Sequence, residues 1–112
     1  QKIRDVQDYI ARQLHRRPSI DELRKVACMN RNDLSRVFKA HCGMTLKEYM
    51  RHERMLHACA LLERKTKTPK EISAKLGYRR ISNFSADFRR WAGCSLTEFL
   101  ADPVSRAPKS VF

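Results

Sequence analysis

Apolar residues recur at helical spacing along most of the chain, and no stretch alternates in the two-residue rhythm of a strand. Ile3, Val6, Ile10 and Leu14 share one face and predict a first helix from about Ile3 to His15. Pro18 and Ser19 break it and open a second, about Ile20 to Cys28. Asn30 is placed to cap a third, about Arg31 to His41. That helix turns Leu34, Val37, Phe38 and either His41 or Cys42 inward, and Gly43 stops it. The longest helix runs from about Leu46 to Arg64 and offers Tyr49, Met50, Leu56, Ala60 and Leu61 for packing. A fifth extends from Pro69 to Leu76 and stops at Gly77. A sixth spans about Ile81 to Ala92, with Phe84, Phe88 and Trp91 inward and Gly93 as its stop. A seventh covers Leu96 to about Ala101. From Asp102 onward Pro103, Ser105, Pro108 and Ser110 predict a disordered tail over 102–112.

Four of these helix starts carry the same signature: Ser19 with Glu22, Thr45 with Glu48, Thr68 with Glu71, and Ser95 with Glu98. In such a capping box the hydroxyl accepts the backbone N–H three residues on, and the glutamate reaches back to the cap residue's own N–H. Pro69 follows Thr68 at the first helical position, where a missing N–H costs nothing.

The pattern also repeats. Gly43, Leu46, Glu48 and Tyr49 return fifty residues later as Gly93, Leu96, Glu98 and Phe99, and Leu34, Ser35 and Phe38 return as Phe84, Ser85 and Phe88. Upstream, an offset of forty-nine pairs Ser19, Glu22, Leu23 and Met29 with Thr68, Glu71, Ile72 and Tyr78. A repeat of this length is one supersecondary unit built twice. The expected fold is all-α, with two helix-turn-helix subdomains, 1–44 and 65–101, joined by a long linker helix over 45–64. At about nineteen residues and about 1.5 Å per residue, that linker spans about 28 Å. Two recognition helices held about one turn of DNA apart, about 34 Å, can enter successive major grooves.

Composition sharpens this picture. The 112 residues carry 24 Lys and Arg against 12 Asp and Glu, a formal charge of +12, which points to a polyanionic partner. Apolar residues at 42% suffice for small cores and exclude a disordered basic tail. Cys28, Cys42, Cys59 and Cys94 have no metal-site or disulfide-framework spacing and fall at or near core positions, as structural thiols of a reducing cytoplasm would. No apolar run approaches membrane-spanning length. The chain begins at Gln1, as expected of a fragment of something longer.

Several residues as an ordered set resemble the DNA-binding domain of AraC/XylS-type transcription regulators. The first unit contributes Leu34-Ser35-Arg36-Val37-Phe38-Lys39, Gly43-Met44-Thr45-Leu46-Lys47-Glu48-Tyr49, Arg54 and Leu61-Leu62. The second contributes Ile72, Leu76-Gly77-Tyr78, Phe84-Ser85, Phe88, Gly93 and Leu96-Thr97-Glu98-Phe99. The resemblance covers about Ile3 to Leu100. It implies double-stranded DNA as partner, RNA polymerase as a second partner, an activator's role in a bacterial-type regulator, and a separate N-terminal effector or dimerisation domain.

The resemblance also places Asn32, Ser35 and Arg36 of the third helix at base-reading positions. Their chemistry suits base recognition, since Arg pairs with guanine O6 and N7, Asn with adenine N6 and N7, and Ser with either. Arg31 and Lys39 are expected on phosphates, which position without specifying sequence. On the sixth helix Ile81, Ser82 and Ser85 can meet base edges, while Arg79, Arg80 and Arg89 read as phosphate clamps. That helix departs from the family at Ala86, commonly a long polar or basic residue, and at Asp87, usually apolar and in need of a partner such as Arg90. Cys28 stands where the first turn usually has glycine, and Arg24 and Ser73 where helix packing usually has alanine. These departures motivate an alternative: a helix-turn-helix scaffold used mainly for protein–protein interaction, its second module only anchoring on DNA phosphates.

Other conspicuous residues have plainer roles. His15, His41, His52 and His57 form no zinc-spaced set with any cysteine. Trp91 and the phenylalanines lie at core spacing rather than at stacking positions. Arg54 is open between a phosphate contact and an internal ion pair. No nucleophile–base pair, glycine-rich phosphate loop or paired carboxylates suggest catalysis, and no cofactor or metal is expected.

Overall fold

The computed structural model describes residues 2–101; the predicted tail over 102–112 lies outside the described residues. Seven α-helices follow in order: α1 (Lys2–Arg12), α2 (Ile20–Ala27), α3 (Arg31–Cys42), α4 (Leu46–Arg64), α5 (Pro69–Lys75), α6 (Ile81–Ala92) and α7 (Leu96–Ala101). No strand occurs among the described residues.

All four predicted capping boxes form. Ser19 Oγ accepts from the Glu22 N–H at 3.2 Å and Thr45 Oγ1 from Glu48 at 3.1 Å. Thr68 Oγ1 accepts from Glu71 at 3.2 Å and Ser95 Oγ from Glu98 at 3.1 Å. In return the backbone N–H groups of Ser19, Thr45, Thr68 and Ser95 donate to those glutamates at 3.3, 2.9, 2.8 and 2.9 Å. Two donors that a helix start leaves without partners are thus satisfied each time.

Helix ends are equally determined. Gly43 and Gly93, both at φ +78°, close α3 and α6 in the left-handed conformation that glycine adopts without strain. The turn after α2 repeats after α5: Met29 N–H donates to the Arg24 carbonyl and Tyr78 N–H to the Ser73 carbonyl, each at 3.0 Å. The left-handed residue of this turn is Gly77 in the second copy, at φ 86°, but Cys28 in the first, at φ 55°. Its Cβ costs about 1–2 kcal/mol there. The α1 stripe ends earlier than its apolar spacing suggests. The helix stops at Arg12, a 3-10 turn covers Leu14–Arg16, and Arg17 is left-handed at φ 52°. Pro18 disfavours helical geometry at the residue before it.

The chain parts into two compact units between Glu53 and Arg54, inside α4. The first is built around Ile3, Val6, Ile10, Leu23, Ala27, Leu34, Phe38, Leu46 and Tyr49. The second is built around the second half of α4 (Met55, Ala58, Cys59, Leu61 and Leu62) with Ile72, Leu76, Tyr78, Phe84, Phe88, Cys94 and Phe99. The duplication extends to side-chain geometry. Phe38 meets Tyr49 edge-on at 5.2 Å and 74°, and their counterparts Phe88 and Phe99 meet at 5.3 Å and 76°. Met55, Ala58 and Leu62 are spaced along α4 as Ile3, Val6 and Ile10 are along α1, so one helix closes the first unit and opens the second.

This double duty explains where the packing expectations for α4 fail. Leu56 is 44% exposed and Ala60 is also exposed, whereas Met55, Ala58, Cys59 and Leu62 are buried. A helix that serves two cores in succession has no single apolar stripe. The cysteine expectation also needs correction: Cys59 and Cys94 are buried and Cys42 half-buried, but Cys28, in the left-handed turn after α2, is exposed. Of the alternatives at the end of α3, Cys42 is the partly buried one and His41 is exposed.

Glu22, Glu48 and Glu71 all titrate below the ordinary value of 4.5. The leading cause is the Tyr9 hydroxyl for Glu22, and the backbone N–H of Thr45 and of Thr68 for the other two. A carboxylate whose folded pKa is depressed stabilises fully above its unfolded pKa, and that contribution is lost as pH falls through the folded value. Tm is therefore expected to fall on acidification below about pH 4.5. Glu22→Gln, Glu48→Gln and Glu71→Gln together, which keep an acceptor without a titrating charge, should flatten that acid limb in a Tm series.

Candidate nucleic-acid interface

Within the first unit, α3 is fixed in roll by Leu34 and Phe38, four residues apart and both completely buried. Asn30 caps it: the Asn30 Oδ1 accepts the Asp33 N–H at 2.8 Å. Arg31, Asn32, Ser35, Arg36 and Lys39 are then all exposed on the side away from the core. The structure thus brings together every first-unit residue expected at the site. It also adds two carboxylates. Arg36 Nη2 donates to Asp33 Oδ1 at 3.3 Å, and Arg31 Nε lies 3.7 Å from Asp21 Oδ1, which Arg24 Nε approaches at 3.4 Å. Asp21, Arg24, Asn30, Arg31, Asn32 and Asp33 line an open concavity of about 560 Å³ beside the start of α3. The Asp33–Arg36 pair was legible as an i, i+3 spacing; the Asp21–Arg31 pair, between two helices, was not.

Within the second unit, Phe84 and Phe88 play the part of Leu34 and Phe38 and are completely buried. Arg79, Arg80, Ser82, Ala86 and Arg89 are exposed, Ile81 is 42% exposed, and Ser85 is half-buried. The helix start differs from that of α3. Arg80 occupies the cap position without a side-chain bond to the helix, and no acidic residue lies in the first turn. Among the described residues no carboxylate pairs with Arg79, Arg80 or Arg89. The positive end of the helix and the two arginines before it therefore add rather than cancel.

Asp87 is turned away from this face. Its Oδ2 accepts the Tyr78 hydroxyl at 2.8 Å, and its Oδ1 lies 3.6 Å from Arg90 Nη1, the ion pair expected from the sequence. Burial, then the bond to Asp87, pushes the Tyr78 hydroxyl above its usual 10, and Arg54 opposes the shift. Arg54 is half-buried near that hydroxyl, and its Nε is enclosed without an acceptor among the described residues. Its neighbour is a tyrosine, and no carboxylate among the described residues forms the internal ion pair with it.

A family model described as a helix-turn-helix domain matches residues 23–102. The chain belongs to that family. Its helix-turn-helix units are of the AraC/XylS type, a DNA-binding domain of transcription regulators. One curated relative, "Probable transcriptional regulator LumQ" of Photobacterium leiognathi, is 29% identical over 94 residues, 84% of this chain and 38% of that protein. The lactose operon transcription activator of Staphylococcus xylosus is 28% identical over 92 residues, 82% of this chain and 33% of that protein. The match thus spans between a third and two fifths of the length of these relatives. The crystal structure of the DNA-binding domain of the global transcriptional factor AdpA, in complex with a target DNA, superposes with a TM-score of 0.82. It is 25% identical, and the match covers 96% of this chain and 97% of that one. The alternative use of the scaffold mainly for protein–protein interaction is not favoured. No helix among the described residues is long and apolar enough to cross a membrane.

The helix-turn-helix of the second unit depends on Asp87 as an internal acceptor. Asp87→Ala is expected to destabilise that unit by about 1–3 kcal/mol, because the partly buried Tyr78 hydroxyl loses the acceptor Asp87 provides. Urea unfolding followed by Trp91 fluorescence reads this directly.

Proposed function

We propose that the domain reads sequence chiefly through α3 and anchors on phosphates through both units. Asn32, Ser35 and Arg36 contact base edges, with Arg36 on a guanine, while Arg31 and Lys39 hold the flanking backbone. In the second unit Ile81, Ser82 and Ser85 meet bases through short side chains that give little discrimination, and Arg79, Arg80 and Arg89 clamp phosphates. The observation that carries this reading is the exposure of Asn32, Ser35 and Arg36 opposite the completely buried Leu34 and Phe38. The functional partition is 1–44, 45–64 and 65–101, with α3 and α6 entering successive major grooves. The 19 residues of α4 support it, since a helix of that length spans about 28 Å.

The domain works in the cytoplasm as the DNA-binding part of an activator. The greater length of its relatives supports a further effector or dimerisation domain in the full protein. RNA polymerase is the proposed protein partner, reached from the DNA-bound state.

Arg36→Ala is expected to cost about 1–3 kcal/mol on the specific site and little on random duplex, whereas Arg80→Ala weakens all sequences alike and flattens the salt dependence. Equal losses on both DNAs for Arg36→Ala would remove it as a reader. Site selection from a random duplex library is expected to return two elements about 10 bp apart, the first more strictly defined. A single isolated element would sink the two-groove reading.

A further inference from the structure

We propose that Asp33 is a specificity residue that acts through Arg36, holding its guanidinium in the orientation that reads guanine. This rests on the reading of Arg36 given above. Asp33 lies in the first turn of α3, one turn before Arg36, and both of its oxygens are engaged. Oδ1 accepts from Arg36 Nη2 at 3.3 Å, and Oδ2 accepts from Asn30 Nδ2 at 3.2 Å. Asn30 is itself fixed, because its Oδ1 takes the Asp33 N–H at 2.8 Å. The carboxylate is therefore held from the helix cap, and it in turn holds the arginine.

The chemistry leaves Arg36 free to read. A guanidinium has five N–H donors in a planar fork, so a single bond to Asp33 leaves enough of them to meet guanine O6 and N7. The Arg36 side chain is 72% exposed and that of Asp33 is 53% exposed, so the fork is accessible while one edge is tethered. An untethered arginine samples many rotamers and pairs with any nearby phosphate. A tethered one loses that freedom before DNA arrives, which favours the matching base over the backbone. A negative charge on a face that meets a polyanion weakens binding to every sequence, so what Asp33 contributes is discrimination.

Asp21 supplies the internal comparison. It carries the same charge beside the same concavity, but its carboxylate faces Arg24 and Arg31 rather than Arg36. Neutralising it changes the electrostatics of the face without releasing the reader.

The test compares D33N, D21N, R36A and the D33N/R36A double variant on a selected site and on random duplex at several salt concentrations. D33N is expected to bind random duplex about threefold more tightly, since one repulsive charge is gone. Its ratio of selected-site to random affinity should nevertheless fall roughly tenfold, the scale of one weakened base contact. D21N should tighten binding to both DNAs alike and leave the ratio unchanged. At the guanine read by Arg36, the double variant should discriminate no worse than R36A alone. If D33N and D21N behave identically, or if the D33N and R36A losses add, Asp33 has no positioning role. If R36A itself keeps the full ratio, the assignment of Arg36 falls instead, so the two failures are separable.

Discussion

Two apolar side chains four residues apart decide how each recognition helix is rolled. Leu34 and Phe38 in α3, and Phe84 and Phe88 in α6, have no exposed surface. Each aromatic at the later position is pinned by an edge-on ring from the helix that follows, Tyr49 or Phe99. Burying a side chain of this size is worth about 1.5–3 kcal/mol, and rotating the helix by one residue would forfeit two of them at once. The polar face is thus specified by what lies on the opposite side. Arg31, Asn32, Ser35, Arg36 and Lys39 need no further device to be presented together.

The two helices then diverge at their starts. α3 opens under an asparagine cap with Asp33 in its first turn, so the positive end of the helix and its arginines are partly offset by carboxylates. α6 opens after two arginines with neither a side-chain cap nor an acid. An uncompensated helix start attracts phosphate without regard to sequence, whereas a compensated one leaves weaker general attraction and more orientation. The same supersecondary unit supports both characters because its core and caps are kept while its outward residues change.

Much of this was legible in the residues themselves. Helix starts were readable because a hydroxyl and a glutamate three apart have few other uses at the head of an apolar stripe, and α3 and α6 stopped at the glycines that the pattern marked. The errors arose where one residue answered to more than its own helix. Leu56 and Ala60 fit a single apolar stripe along α4, but the helix faces two cores in turn and both residues are exposed. Cys28 falls near a core position in the pattern, yet it is exposed, in a turn where its backbone is left-handed. Asp87 announced its pairing with Arg90 by spacing, but its shorter bond goes to Tyr78 across the turn, where no local periodicity points. Arg54 was ambiguous for the same reason: its neighbour Tyr78 lies in the turn between α5 and α6, distant in sequence.

The two apolar cores share no residue among those described. A lesion such as a truncated leucine in one is therefore expected to be felt first by the helices of that half. For a molecule that meets a long polymer, this has a practical outcome. A variant damaged in one core is expected to keep the outward arginines of the other half presented on their own helix, unless the damage travels through α4, which both cores use.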